Sequence, residues 1–262
     1  AQVVEAVIDR GIDVDVVVVP CGESSKSIEI ASLLWENFLE LGVDRKTVAI
    51  ALGGGVVGDL AGFVAATYAR GIRYFQIPTT LLAQVDSSVG GKTAIDLPNA
   101  KNMVGAFHQP SGVLIDPDVM QTLPQHQYRA GLGEITKYAL SLDAKFFGFL
   151  KENAAKILNR DSQTLGTIVE TCCRLKARIV EDDEFETTGR RAVLNYGHTF
   201  AHALEKSLGY GVIHHGDAVA VGSFYAAKLA KRLGEKGDER FAKIADAFIQ
   251  NQVELFELLE LP

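Results

Sequence analysis

The chain has 262 residues, of which 47% are hydrophobic and 23% are charged, a composition that excludes an intrinsically disordered protein. The net charge of −7 argues against broad binding to nucleic-acid backbones, and no apolar run approaches the ~20 residues that span a bilayer. The three cysteines, two of them adjacent, do not suit a disulfide framework and are typical of a reducing cytoplasm. We therefore expect a cytoplasmic protein without nucleic-acid or membrane partners.

The first half of the chain alternates short apolar segments with amphipathic ones. The strand-like segments, rich in β-branched residues, are 14–19, 47–52, 74–77 and 113–115. Such a βαβ pattern predicts a doubly wound, Rossmann-like α/β domain, which we place at residues 1–124. A domain of this kind normally opens with a strand, whereas residues 3–8 are helix-like. We therefore expect the first strands to be missing.

A glycine-rich loop follows the second of these segments. Gly53, Gly55 and Gly58 satisfy the pattern G-x-G-x-x-G between a predicted strand and a predicted helix at residues 60–69. Glycines there let backbone N–H groups approach a phosphate, which the dipole of the helix also favours. The acidic ribose contact expected about 20 residues later is absent. The loop thus indicates either a dinucleotide site outside the usual register or tight packing of helix on strand.

After Leu123 and Pro124 the apolar residues follow helical spacing throughout. The predicted helical segments are 126–140, 143–158, 161–181, 190–208, 216–233 and 238–259. We therefore predict an all-α second domain at residues 125–262. The acidic run at 181–184 is interpreted as a solvated helix end, with a partner surface as the alternative.

Histidines concentrate in this helical half. His198 and His202 are four residues apart and would share a helix face, while His215 follows seventeen residues after His198. Glu134 precedes Lys137 on the same predicted face. One Glu and two His form a common catalytic zinc set that leaves a position open for substrate. Spacing favours His198 and His202 as ligands; otherwise these histidines make unrelated hydrogen bonds.

Basic residues also recur beside glycine or asparagine. Lys92 follows two glycines and Lys101 precedes Asn102, and flexible backbone combined with cations is a usual way to hold phosphate or carboxylate. Singly, each basic residue would be interpreted as a surface residue. The group consists of Arg70, Lys92, Lys101, Lys137, Lys176 and Arg191.

The chain resembles the 3-dehydroquinate synthase family of sugar-phosphate cyclases from about Pro20 to Val221. The stretches that carry the resemblance are 53–59, 78–80, 84–92, 101–102, 133–138, 194–195, 197–200 and 215–216. It implies an N-terminal NAD-binding α/β domain, a C-terminal helical metal-binding domain and an active site in the cleft between them. The family begins earlier and continues beyond Pro262, so we expect a fragment lacking both termini. Ala201 stands where the family usually has glycine.

Position by position, the resemblance implies three sets of functional residues. Zn²⁺, or Co²⁺, would be bound by Glu134, His198 and His215. In this set His215 takes the place of His202, which the spacing had favoured as a ligand. The substrate-binding and catalytic positions would be Arg70, Asp86, Lys92, Asn102, Lys137, Lys176, Arg191, Asn195 and His202. The NAD-contacting positions would be Glu23, Lys26, Gly54, Gly55, Val56, Gly58, Asp59, Thr79, Thr80, Leu82, Asp86, Ser87, Lys92, Lys101, Thr122, Leu123 and Gln127.

The implied reaction converts 3-deoxy-arabino-heptulosonate 7-phosphate to 3-dehydroquinate and phosphate, in the shikimate pathway to chorismate and the aromatic amino acids. Transient oxidation by NAD, phosphate elimination, re-reduction and aldol closure would make the protein a carbon–oxygen lyase that leaves NAD unchanged. Three alternatives stay open: a related cyclase acting on heptulose 7-phosphate, a metal-dependent polyol dehydrogenase, and a non-catalytic NAD- or metal-binding module. The partners we expect are the sugar-phosphate substrate and a second copy of the chain in a homodimer.

Overall fold

A computed structural model describes residues 2–209, 212–235, 237 and 239–262. The strands all lie in the N-terminal half of the described chain and are β1 (Val48–Gly53), β2 (Arg73–Pro78), β3 (Lys92–Leu97), β4 (Ala100–Phe107) and β5 (Gly112–Val113). The helices of that half are α1 (Gln2–Ile8), α2 (Ile28–Glu40) and α3 (Gly55–Thr67). The remaining helices are α4 (Gln125–Ser141), α5 (Ala144–Glu152), α6 (Ala154–Leu158), α7 (Ser162–Asp182), α8 (His198–Leu208), α9 (His215–Glu235) and α10 (Glu239–Leu258). An α/β part is thus followed by a helical part, which confirms the predicted fold class.

The α/β part is built on a parallel sheet with the strand order β1-β2-β5. β1 and β2 pair along their whole length, from Val48 with Arg73 to Gly53 with Pro78. Three of the predicted strands are therefore confirmed, although β5 is only two residues long. Because these strands are parallel, the carboxyl ends of β1 and β2 lie at the same edge of the sheet, where the glycine loop begins.

Two features of this half differ from the sequence interpretation. Residues 14–19 belong to no helix or strand of the described chain, and Val18 is 85% exposed. A β-branched run becomes a strand only when a neighbouring strand accepts its backbone hydrogen bonds, so the prediction of a strand there is wrong. Conversely, Lys92 and residues 100–102 belong to the strands of an antiparallel hairpin, β3–β4, which the sequence interpretation did not predict.

The predicted helices of the second half are present, with two interruptions. The segment 143–158 divides at Asn153 into α5 and α6, and the segment 190–208 divides into a 3₁₀ turn at Arg190–Asn195 followed by α8. Residue 238, where the last predicted segment starts, lies outside the described residues. None of the helices in the described ranges is long and apolar enough to cross a membrane.

The largest apolar core joins the two halves. Leu81 and Val85, which follow β2, are fully buried against Tyr128 and Leu132 of α4 and against residues of α7. Val85 lies in a single π-helical turn at Ala83–Ser87, a type of irregularity that is common at functional sites. This packing holds Asp86, in the same turn, against the helical half of the molecule.

Candidate active site

The glycine loop leads straight into helix α3, which begins earlier than predicted. Gly54 is the N-cap residue and offers no side chain to the first N–H groups of α3. A Cβ atom on Gly54 would lie 2.9 Å from the Thr80 methyl group, and one on Gly55 would lie 3.0 Å from Ser87 Oγ. A larger residue at either position would therefore require Thr80 or Ser87 to move. The start of α3 keeps N–H donors without a side-chain acceptor, as an anion site requires.

Several of the predicted NAD-contacting residues lie beside this loop and are joined by ion pairs. The buried Lys26 ammonium group donates to Asp59 Oδ2 at 2.6 Å and also to Asn102 Oδ1. Burial raises the pKa of Asp59, although the charge of Lys26 opposes that rise. Lys101 Nζ lies 3.6 Å from Glu23 Oε1. The hairpin β3–β4 thus brings Lys101 and Asn102 to the α3 side of the molecule.

Glu134, His198 and His215 come together from three different helices. Glu134 lies within α4, His198 is the first residue of α8 and His215 is the first residue of α9. Glu134 Oε1 is 3.5 Å from the Nε2 atom of each histidine and accepts no hydrogen bond from the described residues. One possible ligand atom from each residue lies within 4.8 Å of the others.

These distances suit a metal ion. Ligand atoms on a tetrahedral zinc ion lie about 3.3–3.5 Å apart, because Zn–N and Zn–O bonds are about 2.0–2.2 Å long. A buried carboxylate oxygen without a hydrogen-bond donor also indicates that a partner of positive charge belongs there. The three residues therefore fit the donor set of a zinc or cobalt ion with a position left open.

The protonation of the cluster agrees with this interpretation. Burial lowers the pKa of His198, which keeps that imidazole neutral at pH 7. Burial opposes the charged forms of Glu134 and His215 as well. The ammonium group of Lys137, 2.5 Å from Glu134 Oε2, nevertheless brings the pKa of Glu134 to about 2, and the carboxylates of Glu134 and Glu205 raise that of His215 to about 10. A divalent cation would replace the proton on Nε2 of His215, which faces Glu134. Metal affinity should therefore fall as the pH falls.

Asp86 is the centre of a second cluster, next to the first. Lys176 Nζ lies 2.9 Å from Asp86 Oδ1 and 2.7 Å from the Asp86 carbonyl oxygen, and the Tyr138 hydroxyl donates to Oδ1. Burial opposes ionisation of Asp86, yet the charges of Lys176 and Lys137 hold the pKa of that carboxyl well below its usual range. Asp86, Lys137 and Lys176, all predicted to be functional, are thus brought together by α4, α7 and the π-helical turn.

Lys92 and Arg191 form a third, more open cluster around one carboxylate. Glu186 Oε1 is 2.5 Å from Lys92 Nζ and 3.6 Å from Nε of the buried Arg191. The loop that carries Glu186 is ordered by Asp183, whose carboxylate accepts the backbone N–H groups of Thr187, Thr188 and Arg191. The interpretation of the acidic run as a solvated helix end is therefore wrong for Asp183, which is buried.

The structure does not bring every predicted site residue to these clusters. Arg70 is exposed just beyond the C-terminal end of α3, a helix of 13 residues and therefore about 20 Å from the glycine loop. Leu123 is packed into the core of the helical half. Thr122, Gln127 and Asn195 are exposed. His202, by contrast, adjoins the metal-ligand cluster, because its exposed ring lies 5.6 Å from that of His198 and 6.0 Å from that of His215.

Three residues of these clusters were not found by reasoning from the sequence. Tyr138 and Glu186 offered no spacing signal, because their partners are distant in sequence. Glu205 did offer one, since it follows His198 by seven residues and His202 by three and therefore shares their helix face. Glu205 is buried, with Oε2 3.4 Å from His215 Nδ1.

Comparison with known proteins divides the chain between two matching families. The family described as 3-dehydroquinate synthase N-terminal matches residues 16–130, and the family described as 3-dehydroquinate synthase C-terminal matches residues 131–258. The curated 3-dehydroquinate synthase of Desulforamulus reducens is 51% identical over 93% of this chain and 67% of its own length. That of Rhodopirellula baltica is 52% identical over 84% of this chain and 59% of its own length. The chain thus spans about two thirds or less of the curated relatives it matches.

Solved structures with the same fold are sugar-phosphate cyclases and dehydrogenases. The 2-epi-5-epi-valiolone synthase of Streptomyces hygroscopicus, solved with NAD⁺ and Zn²⁺ bound, superposes with a TM-score of 0.87 at 27% identity, over 100% of this chain and 71% of that one. A 2-deoxy-scyllo-inosose synthase complexed with carbaglucose-6-phosphate, NAD⁺ and Co²⁺ superposes with a TM-score of 0.83 at 28% identity. The match covers 99% of this chain and 73% of that one. An iron-containing alcohol dehydrogenase of Thermotoga maritima, at 16% identity and a TM-score of 0.66 over 99% and 74%, shares the fold alone.

Proposed function

Because this chain belongs to the 3-dehydroquinate synthase family, we propose that it converts 3-deoxy-arabino-heptulosonate 7-phosphate to 3-dehydroquinate and phosphate. The observation that carries the proposal is the convergence of Glu134, His198 and His215, whose ligand atoms lie within 4.8 Å of one another. The buried Lys137 lies 2.5 Å from Glu134, and the buried Lys176 and Arg191 belong to the other two clusters. Such a donor set beside several cations suits a substrate that carries both hydroxyl groups and anionic groups.

NAD and a divalent metal ion are the cofactors of the proposed reaction. The glycine loop and the start of α3 would hold the pyrophosphate of NAD, with Lys26 and Asp59 alongside. Glu134, His198 and His215 would hold Zn²⁺ or Co²⁺, the ions present in the related cyclase structures. When bound, NAD exchanges a hydride with the substrate while the metal ion polarises the hydroxyl group that is oxidised.

The side chains of this chain would orient the substrate and neutralise its charge. Lys92 and Arg191 would bind an anionic group of the substrate in place of the Glu186 carboxylate that they now share. Lys137 is held in place by Glu134, so that its charge faces the metal ligands. Asp86 stays ionised beside Lys176, and the partial burial of the His202 ring lowers the pKa of that imidazole. The protein would therefore act by positioning and electrostatics.

Lys92→Ala is expected to weaken substrate binding by about tenfold or more and to leave NAD affinity nearly unchanged. The reason is that a charge-assisted contact to the substrate contributes about 1.5–3 kcal/mol, and that the ion pair of Lys92 is with Glu186 beside Arg191. We therefore assign Lys92 to the substrate and do not retain the NAD contact that the resemblance also implied for it. Calorimetric titration with substrate and with NAD checks this. Lys151→Ala is the control, because Lys151 pairs with Glu254 on a remote surface. Equal weakening of both ligands would refute the assigned role.

The second candidate is a related cyclase that acts on heptulose 7-phosphate, which lacks the carboxylate. The high TM-score with a 2-epi-5-epi-valiolone synthase favours it, whereas about 51% identity to curated 3-dehydroquinate synthases and the buried Arg191 favour the first. Rates of phosphate release from the two sugars, measured side by side, separate the candidates. Release from the carboxylate-bearing sugar alone supports the proposal. The homodimer stays a prediction.

A further inference from the structure

His215 uses both of its ring nitrogens. Its Nε2 atom lies 3.5 Å from Glu134 Oε1, on the side where the three predicted metal ligands meet. Its Nδ1 atom lies 3.4 Å from Oε2 of Glu205, a residue of α8 that is only 4% exposed. Nothing in the proposed reaction assigns a task to Glu205. A buried carboxylate is costly unless it is paired, so its place beside His215 calls for a physical reason.

The chemistry of imidazole supplies that reason. A histidine that binds a metal through one nitrogen carries a proton on the other, and an acceptor behind that proton fixes the tautomer and the orientation of the ring. His198 has such an acceptor, because its Nδ1 atom lies 3.3 Å from the carbonyl oxygen of Tyr196. His215 has the Glu205 carboxylate in the equivalent place. Both histidines therefore present Nε2 to Glu134 with an acceptor behind Nδ1.

The other oxygen of Glu205 faces the α/β half of the molecule. Lys101 Nζ lies 3.8 Å from Glu205 Oε1 and 3.6 Å from Glu23 Oε1. Lys101 belongs to β4 and Glu23 to a short turn before α2. A chain of charges thus runs from Lys101 through Glu205 to His215, and it connects β4 of the α/β half with α8 and α9 of the helical half.

We propose that Glu205 is a positioning residue, which fixes the ring of His215 by accepting its Nδ1 proton and so prepares Nε2 for the metal ion. This inference rests on the proposed function, because it requires that His215 bind a metal. Glu205 itself would touch neither the substrate nor the ion.

Glu205→Gln tests the proposal, because the substitution keeps the size of the side chain and removes its charge. Zn²⁺ affinity is measured by competition with a chromophoric chelator, and the visible spectrum of the Co²⁺-loaded protein reports the geometry around the ion. We expect Zn²⁺ affinity to fall by about 10–100-fold, the usual effect of removing the partner of a ligating histidine, and the Co²⁺ spectrum to shift. Glu170→Gln, which removes one exposed charge from α7, should change neither.

Thermal unfolding of the metal-free proteins separates positioning from a general loss of stability. Glu205→Asp, which keeps the charge but draws the carboxylate back, serves as the second variant and should lose affinity with little change in the unfolding temperature. Zn²⁺ affinity within twofold of the wild type in both variants would overturn the inference alone. Failure of the wild type to bind Zn²⁺ would overturn the proposed function as well. If the wild type bound two zinc ions and Glu205→Gln bound one, the positioning role of Glu205 would be overturned, because Glu205 would then be a ligand beside His202 and His215.

Discussion

Replacing Glu134 by alanine is expected to remove tight metal binding and phosphate release together. Oε1 of Glu134 is the atom that both His198 Nε2 and His215 Nε2 face at 3.5 Å. Loss of this ligand should lower Zn²⁺ affinity by more than about 100-fold. Removing only a residue that hydrogen-bonds to a ligand already lowers metal affinity by up to about 100-fold. Chelator competition measures the affinity, and a phosphate assay at saturating substrate measures turnover.

The substitution also leaves Lys137 without its carboxylate, so a second variant is needed. Glu134→Gln keeps the volume of the side chain and one oxygen atom, and it should bind the metal weakly without a large cavity. Glu170→Gln again controls for the loss of one charge, at an exposed position. Retention of both metal and activity by Glu134→Ala would show that the ligand set lies elsewhere.

Lys176→Met is expected to lower the free energy of unfolding by about 3 kcal/mol at pH 7. Breaking a buried ion pair costs about 3–5 kcal/mol because one charge stays behind unpaired. The lower end applies here, since the Asp86 side chain is 24% exposed. Urea unfolding measures the change. Lys151→Met, which breaks an exposed pair with Glu254, should cost less than about 1 kcal/mol.

The effect of Lys176→Met should depend on pH in a defined direction. In the wild type the pKa of Asp86 is lower in the folded state than in the unfolded state, where it is about 3.9. Its contribution to stability is therefore present above pH ~4 and is lost as the pH falls through the folded value. Without Lys176 the folded pKa rises, and a protonated Asp86 needs no cation. The deficit of the variant should therefore shrink as the pH falls below about 4, where the wild type loses the contribution of Asp86. A deficit that stays constant down to low pH would contradict the role given to this pair.

The sequence predicted the elements whose signal is local. The strands at 47–52 and 74–77 are β-branched, apolar and followed by Gly or Pro, and they became β1 and β2. The segment 14–19 carries the same local signal but has no strand partner among the described residues. The hairpin β3–β4 was missed because Lys92 and Lys101 were considered only as anion-binding residues beside glycine and asparagine. Pairing between strands is a tertiary property, which composition does not report.

In the candidate site, too, local spacing predicted some residues and not others. Spacing found the His198 and His202 pair, because positions four apart on a helix are neighbours. Glu134 and His215 lie on other helices and were assigned only through the resemblance. The contact of Tyr138 with Asp86 depends on how α4 packs on the π-helical turn, and that of Glu186 with Lys92 depends on where the loop after α7 meets β3. No pattern within one segment reports such packing. The placement of Arg70 away from the clusters also could not be foreseen.

In the reaction that we propose, this site oxidises and then reduces its substrate while phosphate is expelled. The most direct measurement follows phosphate release from 3-deoxy-arabino-heptulosonate 7-phosphate together with the absorbance of NADH, with and without added NAD and Zn²⁺. We predict that phosphate release requires both, that NAD well below the substrate concentration supports complete conversion, and that NADH does not accumulate. Accumulation of NADH in step with turnover, or full phosphate release from protein freed of metal, would contradict the account.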